Sequence, residues 1–228
     1  MSSPWKKILE KEVRFYRNLN ATGKNRFERS ILRFLERVQI TGIGIEIDDT
    51  DRLLVASSAV IPLFGFPGWE YRNLNEVLLY DRSFNPDLES GHQDENALGM
   101  VGTGAMNRMM ILSKPALVQG FRNNHSKQNV GIHEFVHLLD KADGETDGIP
   151  EIFFEEPYVI PWIKLVQEEI NKIKDADSDI NPYGATNEAE FLSVVSEYFF
   201  NQPALFKKKH PKLYQTLSKI FNQPLETD

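Results

Sequence analysis

A chain of 228 residues, 41% hydrophobic and 26% charged, can build one domain with a sizeable core or two small lobes sharing it. Its formal net charge of −7 and pI near 5.4 argue against nucleic acid or an anionic membrane as the main partner. It has no cysteine, which excludes disulfides and thiolate metal sites, so any metal must be held by His and carboxylate. Residues 1–19 are charged throughout and hold no apolar run of signal-peptide length, and no run in the chain approaches the roughly 20 residues of a membrane helix. A soluble cytoplasmic protein is therefore the expectation.

Residues 5–20 space Trp5, Ile8, Leu9, Val13, Phe15, Tyr16 and Leu19 near a helical period, with Asn20 and Gly23 ending that helix. A second helix follows from about Lys24, with Phe27, Ile31, Leu32, Phe34, Leu35 and Val38 as its core stripe. Residues 40–47 (ITGIGIEI) alternate like a short strand. Asp48, Asp49 and Asp51 suit the positive end of a helix dipole better than a Ca²⁺ loop, because no Gly and distal Glu complete that pattern. Residues 52–64 then read as a buried helix closed by Pro62. Phe66-Pro67-Gly68 marks a turn, and residues 76–80 (EVLLY) a strand. Residues 81–107 are polar and glycine-rich, a loop or hairpin of a length that is often functional. His92 within it and His125 in the connection 122–127 read as solvent-exposed. Residues 108–118 begin as an apolar strand that breaks at Pro115. Residues 143–156 form a second irregular stretch. Pro161 opens a helix with Trp162, Ile163, Val166, Ile170 and Ile173 as its stripe, and residues 174–182 form a polar loop. A helix runs from Asn187 to Pro203. A last helix, 211–221, follows Lys207-Lys208-Lys209-His210, a basic run read as a solvated helix start. Neither a repeat nor a Gly/Ser- or Pro-type linker interrupts the chain.

The stretch that carries chemistry is residues 129–140 (NVGIHEFVHLLD), read as a helix from about Gln128 to Lys141. Its H-E-x-x-H places His133 and His137 four apart on one face, where both rings can aim a nitrogen at one Zn²⁺. Glu134 lies about 100° round the helix, poorly placed as a ligand and well placed to take a proton from a metal-activated water. Val130, Ile132, Phe135, Val136, Leu138 and Leu139 supply the apolar back of the helix. Asp140, seven residues after His133 on the same face, is expected to orient a ligand imidazole or to tie down the helix end.

A hydrolytic zinc site takes three protein ligands and keeps a position for water. The remaining candidates are His92, His125, His210 and a carboxylate on a later helix. Glu188 and Glu190 are two apart and cannot face the same way. Glu190 and Glu197 are seven apart, on nearly one stripe beside the apolar Phe191, Val194, Val195 and Tyr198. Both stay open as the ligand, with Glu190 favoured by its place in the first turns. A buried carboxylate without a partner is costly, so the other should pair with a ligating imidazole.

HEFVHLLD at 133–140 and YGATNEAEFLSVVSEYFFNQPALF at 183–206 resemble the Mlc titration factor A (MtfA) family of zinc peptidases. Residues 52–84 look similar too, as does the N-terminal helical region more loosely. The YGATNEAEF stretch is also similar to the catalytic domain of anthrax lethal factor. The resemblance implies that the Glu of the A-E-F element, Glu190, is the third zinc ligand, and that Tyr183 reaches the scissile carbonyl. The sequence differs from the family in the loop 143–150 and in residues 85–107, which bear on substrate and partner preference.

The expected fold is α+β: a mostly helical, zincin-like (gluzincin) metallopeptidase domain with a small β-sheet over the H-E-x-x-H helix. Residues 1–228 would form a single domain, with a helical region of about 1–40 packed on the catalytic core. The expected activity is hydrolysis of peptide bonds by a zinc-activated water, with Glu134 as general base and one Zn²⁺ per chain. Asp140 and Glu197 are the candidate supports behind the ligands. The strand at 109–113 is expected to pair with an extended substrate by edge addition. Because the family is named for sequestering a glucose-responsive transcriptional repressor, the alternative is a regulatory binding protein with a structural or weakly active zinc site. Expected partners are thus a peptide or protein substrate and such a repressor, with neither nucleic acid nor membrane.

Overall fold

The computed structural model describes residues 1–81, 99–101, 108–123, 125–150 and 159–225. The first helices are α1 (Ser3–Glu12), α2 (Arg14–Arg17) and α3 (Ala21–Arg37). One helix was expected over 5–20. The chain instead breaks at Val13, whose extended backbone (φ −110°, ψ 97°) lets its side chain reach the core. Asn20 does not end a helix but starts one, because its side chain accepts the Gly23 amide at 2.8 Å and caps α3. Such a cap contributes about 1 kcal/mol.

The central helix is α4 (Asp49–Leu63), started by a capping box in which Asp48 and Asp51 each accept the other's backbone N–H. Asp51 also takes the Lys114 ammonium at 2.7 Å. Every residue of α4 from Leu53 to Leu63 is buried, because α1 and α3 cover one side and the metal-site helix the other. Pro62 falls in its last turn.

The sheet contains β1 (Gln39–Gly42), β2 (Glu76–Tyr80), β3 (Gly99–Val101) and β4 (Met109–Ser113), in the order β1-β2-β4-β3. β1, β2 and β4 are parallel, and β3 runs antiparallel to β4. A parallel pair needs a crossover, which α4 supplies between β1 and β2. The strand expected over 40–47 stops at Gly42, where the chain folds back so closely that a Cβ would collide with the Ile45 carbonyl. The expected edge role of 109–113 is overturned. β4 has β2 on one side and β3 on the other, so its backbone groups are already paired. Residues 99–101, in the stretch read as loop or hairpin, supply the covering strand.

The strand ends at Ser113, two residues before the break expected at Pro115, and a helix follows. Pro115 sits in the first turn of α5 (Lys114–Arg122), where a missing N–H costs nothing, after Ser113 caps the helix. Then come α6 (Val130–Asp140), α7 (Val159–Lys174), α8 (Glu188–Asn201), α9 (Pro203–Lys209) and α10 (Pro211–Ile220). The basic run expected to start the last helix instead closes α9, with three lysines at its negative end. The fold is thus α+β, mostly helical with a small sheet, and β3 and β4 lie against α6. The buried side chains form one cluster that holds Leu9 and Phe27 of the first helices together with Phe206 and Phe221 near the C-terminal end of the chain. No helix among the described residues is long and apolar enough to cross a membrane.

His210 turns inward and lies 2.7 Å from Asp179, which also accepts from Lys127 (2.6 Å), Lys209 (2.8 Å) and Tyr198 (3.0 Å). Burial alone would lower the His210 pKa, but Glu169 and Asp179 outweigh it and raise it. Burial alone would raise that of Asp179, but its four donors hold it well below the usual range. The His210 contribution is therefore complete below its unfolded pKa of about 6.5 and lost as pH rises through its folded value. The Asp179 contribution is present above its unfolded pKa of about 3.9 and lost as pH falls. Thermal melts of His210→Gln should lose most relative to wild type at pH 5–6 and least at pH 9. A penalty that does not change with pH would rule out this charge pairing.

Candidate metal centre

α6 begins at Asn129, whose side chain accepts the Ile132 amide at 3.2 Å and fixes the first turn. Gly131 then allows α6 to press on α4, since a Cβ there would collide with the Ser58 side chain. Phe135 anchors the next turn against Tyr71 (5.1 Å between ring centroids) and Phe34 (5.7 Å). With its back held, α6 turns His133 and His137 to the other side, their rings 4.7 Å apart and edge to face.

α8 crosses α6 and begins at Asn187, which caps the helix by accepting the Glu190 amide at 2.9 Å. That cap puts Glu190 one turn in, beside the two histidines. His133 Nε2 lies 3.0 Å from Glu190 Oε2, His137 Nε2 lies 3.3 Å from the same oxygen, and the two Nε2 atoms are 3.1 Å apart. A tetrahedral ion with ligands at about 2.0–2.1 Å needs ligand atoms about 3.3 Å apart. The three donors therefore fit Zn²⁺, and two imidazoles with one carboxylate are the chemistry that Zn²⁺ takes when thiolates are absent.

Glu197, nearly two turns further along α8, stands behind His133. Its Oε1 lies 2.7 Å from His133 Nδ1, and its Oε2 accepts the backbone N–H of Asn129. An Nδ1–H donated to this carboxylate leaves the Nε2 lone pair facing Glu190. Burial disfavours a charged His133, but Glu197 and Glu190 outweigh it and raise its pKa well above the ordinary value. Glu190 is held well below the carboxylate range: burial raises its pKa, and the bonds to His133 and His137 more than reverse that.

Glu134 is buried, and no hydrogen bond reaches its carboxylate among the described residues. Burial raises its pKa, Glu190 and Glu197 add to the rise, and the two imidazoles oppose it. Tyr183 sits in the short 3₁₀ turn Pro182–Ala185 ahead of α8. Its side chain is 44% exposed, with its ring centroid 6.1 Å from that of His133.

Asp140 does not hydrogen-bond to either imidazole, and the Nδ1 of His137 has no partner among the described residues. Of the two roles open to it, the structure shows a tie at the helix end: Asp140 Oδ2 accepts the Gly148 amide at 3.0 Å. Its burial pushes its pKa up to about 6. His125 is exposed, His210 pairs with Asp179, and His92 lies outside the described residues, as do most of 85–107 and residues 151–156.

Sequence reading missed the part that joins the two helices. Gly148 has φ +78°, donates to Asp140, accepts Trp162 Nε1–H at 2.8 Å and packs on the Glu188 carbonyl. It links the end of α6 to the start of α8. The available signal was a pair of glycines among acids in 143–150, but their partners lie elsewhere in the chain. In Gly148→Ala, the added Cβ would meet the Glu188 carbonyl at a backbone angle that only glycine adopts freely. Zinc titration against a competing chelator should show weaker binding than wild type. Equal affinity would mean that the loop does not set the spacing of His137 and Glu190.

The comparisons with known proteins show the family. The family described as glucose-regulated metallo-peptidase M90 matches residues 1–222. A protein named Mlc titration factor A from Escherichia fergusonii is 29% identical, the match covering 96% of this chain and 86% of that one. A protein of the same name from Klebsiella pneumoniae is 27% identical with the same coverage. An uncharacterised Synechocystis protein is 27% identical over 95% of this chain and 82% of its own.

Proposed function

This chain belongs to the glucose-regulated metallopeptidase family M90, and we propose that it is a zinc-dependent peptidase of zincin-like (gluzincin) arrangement. The observation that carries the reading is the meeting of His133 Nε2, His137 Nε2 and Glu190 Oε2, which lie 3.0–3.3 Å from one another. Zn²⁺ held there would supply a Lewis acid for the substrate carbonyl and make a neighbouring water acidic enough to lose its proton near pH 7.

The chain's own groups do the rest. Glu134 takes the proton of the attacking water and passes it to the leaving amine, and its raised pKa brings it closer to the working pH of a general base. Tyr183, exposed beside His133, donates a hydrogen bond to the oxygen that gains charge, a contact worth roughly 10²–10³ in rate in other enzymes. Glu197 keeps His133 in one tautomer. An extended substrate would lie along β3, the outer strand beside α6 among the described residues, rather than along β4.

The test is direct. Protein purified without chelators should carry one zinc per chain by elemental analysis and should cleave members of a broad peptide library. Cleavage should stop with 1,10-phenanthroline and return with added Zn²⁺. Protein that holds no zinc would end this reading.

The name of the relatives supports a second reading, in which the chain captures a repressor protein and the zinc site is structural or weakly active. A pulldown with Glu134→Gln discriminates: capture unchanged by that substitution, together with no cleavage by wild type, favours the binding role.

A further inference from the structure

Away from the metal, α3 carries Arg26, Arg29, Arg33 and Arg37 at intervals of three and four, which puts all four within about 80° of one another on its surface. They edge a cavity of about 320 Å³ between α3, the end of α4 and the turn at 66–71. Its floor is apolar, formed by Ala59, Val60, Leu63 and Phe64, and Trp69 stands in its wall. A second cavity, of about 650 Å³, meets the first at Arg26, Phe64 and Pro67, which line both, and Arg14 lies in it. None of the metal-site residues lines either cavity.

Three of these four arginines have no ion pair among the described residues. Arg37 pairs with Glu70, the only acid in the lining of the first cavity, and the Arg26 guanidinium lies 3.8 Å from the centroid of the Phe64 ring. Arg29 and Arg33 are exposed and have no ion pair among the described residues. Four arginines against one acid leave a local surplus of three positive charges in a chain whose net charge is −7. Clustered guanidinium groups repel each other unless an anion lies among them. Guanidinium also binds carboxylate in a two-pronged fashion while its flat face lies on aromatic rings.

We propose that this trough binds an acidic peptide segment of a partner protein, with carboxylates on Arg29 and Arg33 and a large apolar side chain on the floor. Two adjacent cavities that share lining residues suit an extended segment better than a small anion. The acidic balance of the whole chain repels a long polyanion, which disfavours nucleic acid. The inference does not rest on the peptidase reading.

The test uses the full chain carrying Glu134→Gln, so that the probe is not cut, and a fluorescein-labelled peptide of Asp and Glu with one Phe and one Leu. Anisotropy should show binding that weakens with salt and weakens at least about tenfold in Arg29→Glu/Arg33→Glu. A peptide with Lys in place of the acids should not bind, and one with Ser in place of Phe and Leu should bind less tightly. Unchanged zinc content and melting temperature in the double variant show that the fold and metal site persist; since both positions are exposed, Arg29→Gln/Arg33→Gln gives a milder second variant. The proposal is overturned by equal binding to the charge-reversed protein, by displacement with inorganic phosphate at an ionic strength where chloride leaves the peptide bound, by tighter binding of a single-stranded oligonucleotide, or by displacement with a zinc-chelating hydroxamate.

Discussion

Glu134→Gln is expected to keep the bound zinc and to lower kcat/KM for peptide cleavage by about 10²–10⁴-fold, the usual contribution of a positioned general base. The two effects separate because Glu134 is not among the three converging donors. Glutamine has nearly the same shape, and a neutral amide avoids the cost of burying a charge, the largest cause of the raised Glu134 pKa. The fold and metal should therefore tolerate the change. What is lost is a group able to accept a proton, since an amide cannot do so near neutral pH. Zinc by elemental analysis and cleavage of one peptide by wild type and variant decide the point. Zinc at wild-type level with activity reduced as stated supports the role, and full activity removes it.

How far the sequence could be read depends on the range of the interaction. The H-E-x-x-H spacing is local, and the helix that carries it was legible because its apolar back shows in the same dozen residues. The stripe of Trp162, Val166, Ile170 and Ile173 was legible for the same reason. Asn20 misled, and Pro115 marked the strand's end but hid the start of α5, because each residue type serves two opposite purposes. Asn can stop one helix or cap the next, and Pro can break a strand or occupy the first turn of a helix. Only the residues packed around them decide. The interior position of β4 was not legible at all, because it depends on residues 99–101 returning antiparallel to it. Likewise, nothing near residue 148 announces that one glycine will touch Asp140, Trp162 and Glu188 together.

The pair Glu190 and Glu197 shows where local reading stops and gives the second large effect. Helical periodicity puts both on one stripe of α8 and cannot say which meets the metal. In the structure, Glu190 faces the Nε2 atoms of both histidines, while Glu197 faces the Nδ1 atom of one. Glu190→Gln should therefore remove a ligand, and excess Zn²⁺ should not restore activity. Glu197→Gln should weaken zinc by about 10–100-fold, as is usual for a group that supports a ligating imidazole, and saturating Zn²⁺ should recover most activity. A second readout separates support of the imidazole from simple damage to the helix. The carboxylates raise the His133 pKa, so protons compete with zinc up to a higher pH than for an ordinary imidazole. Removing the Glu197 charge weakens that competition. Taken relative to its own affinity at neutral pH, zinc binding by Glu197→Gln should thus start to weaken at a lower pH than that of wild type. If the affinities, each taken relative to its own value at neutral pH, fall over the same pH range in both, Glu197 acts only through its bond to the Asn129 amide and the start of α6. If Glu197→Gln loses zinc beyond rescue while Glu190→Gln keeps it, the two roles are reversed.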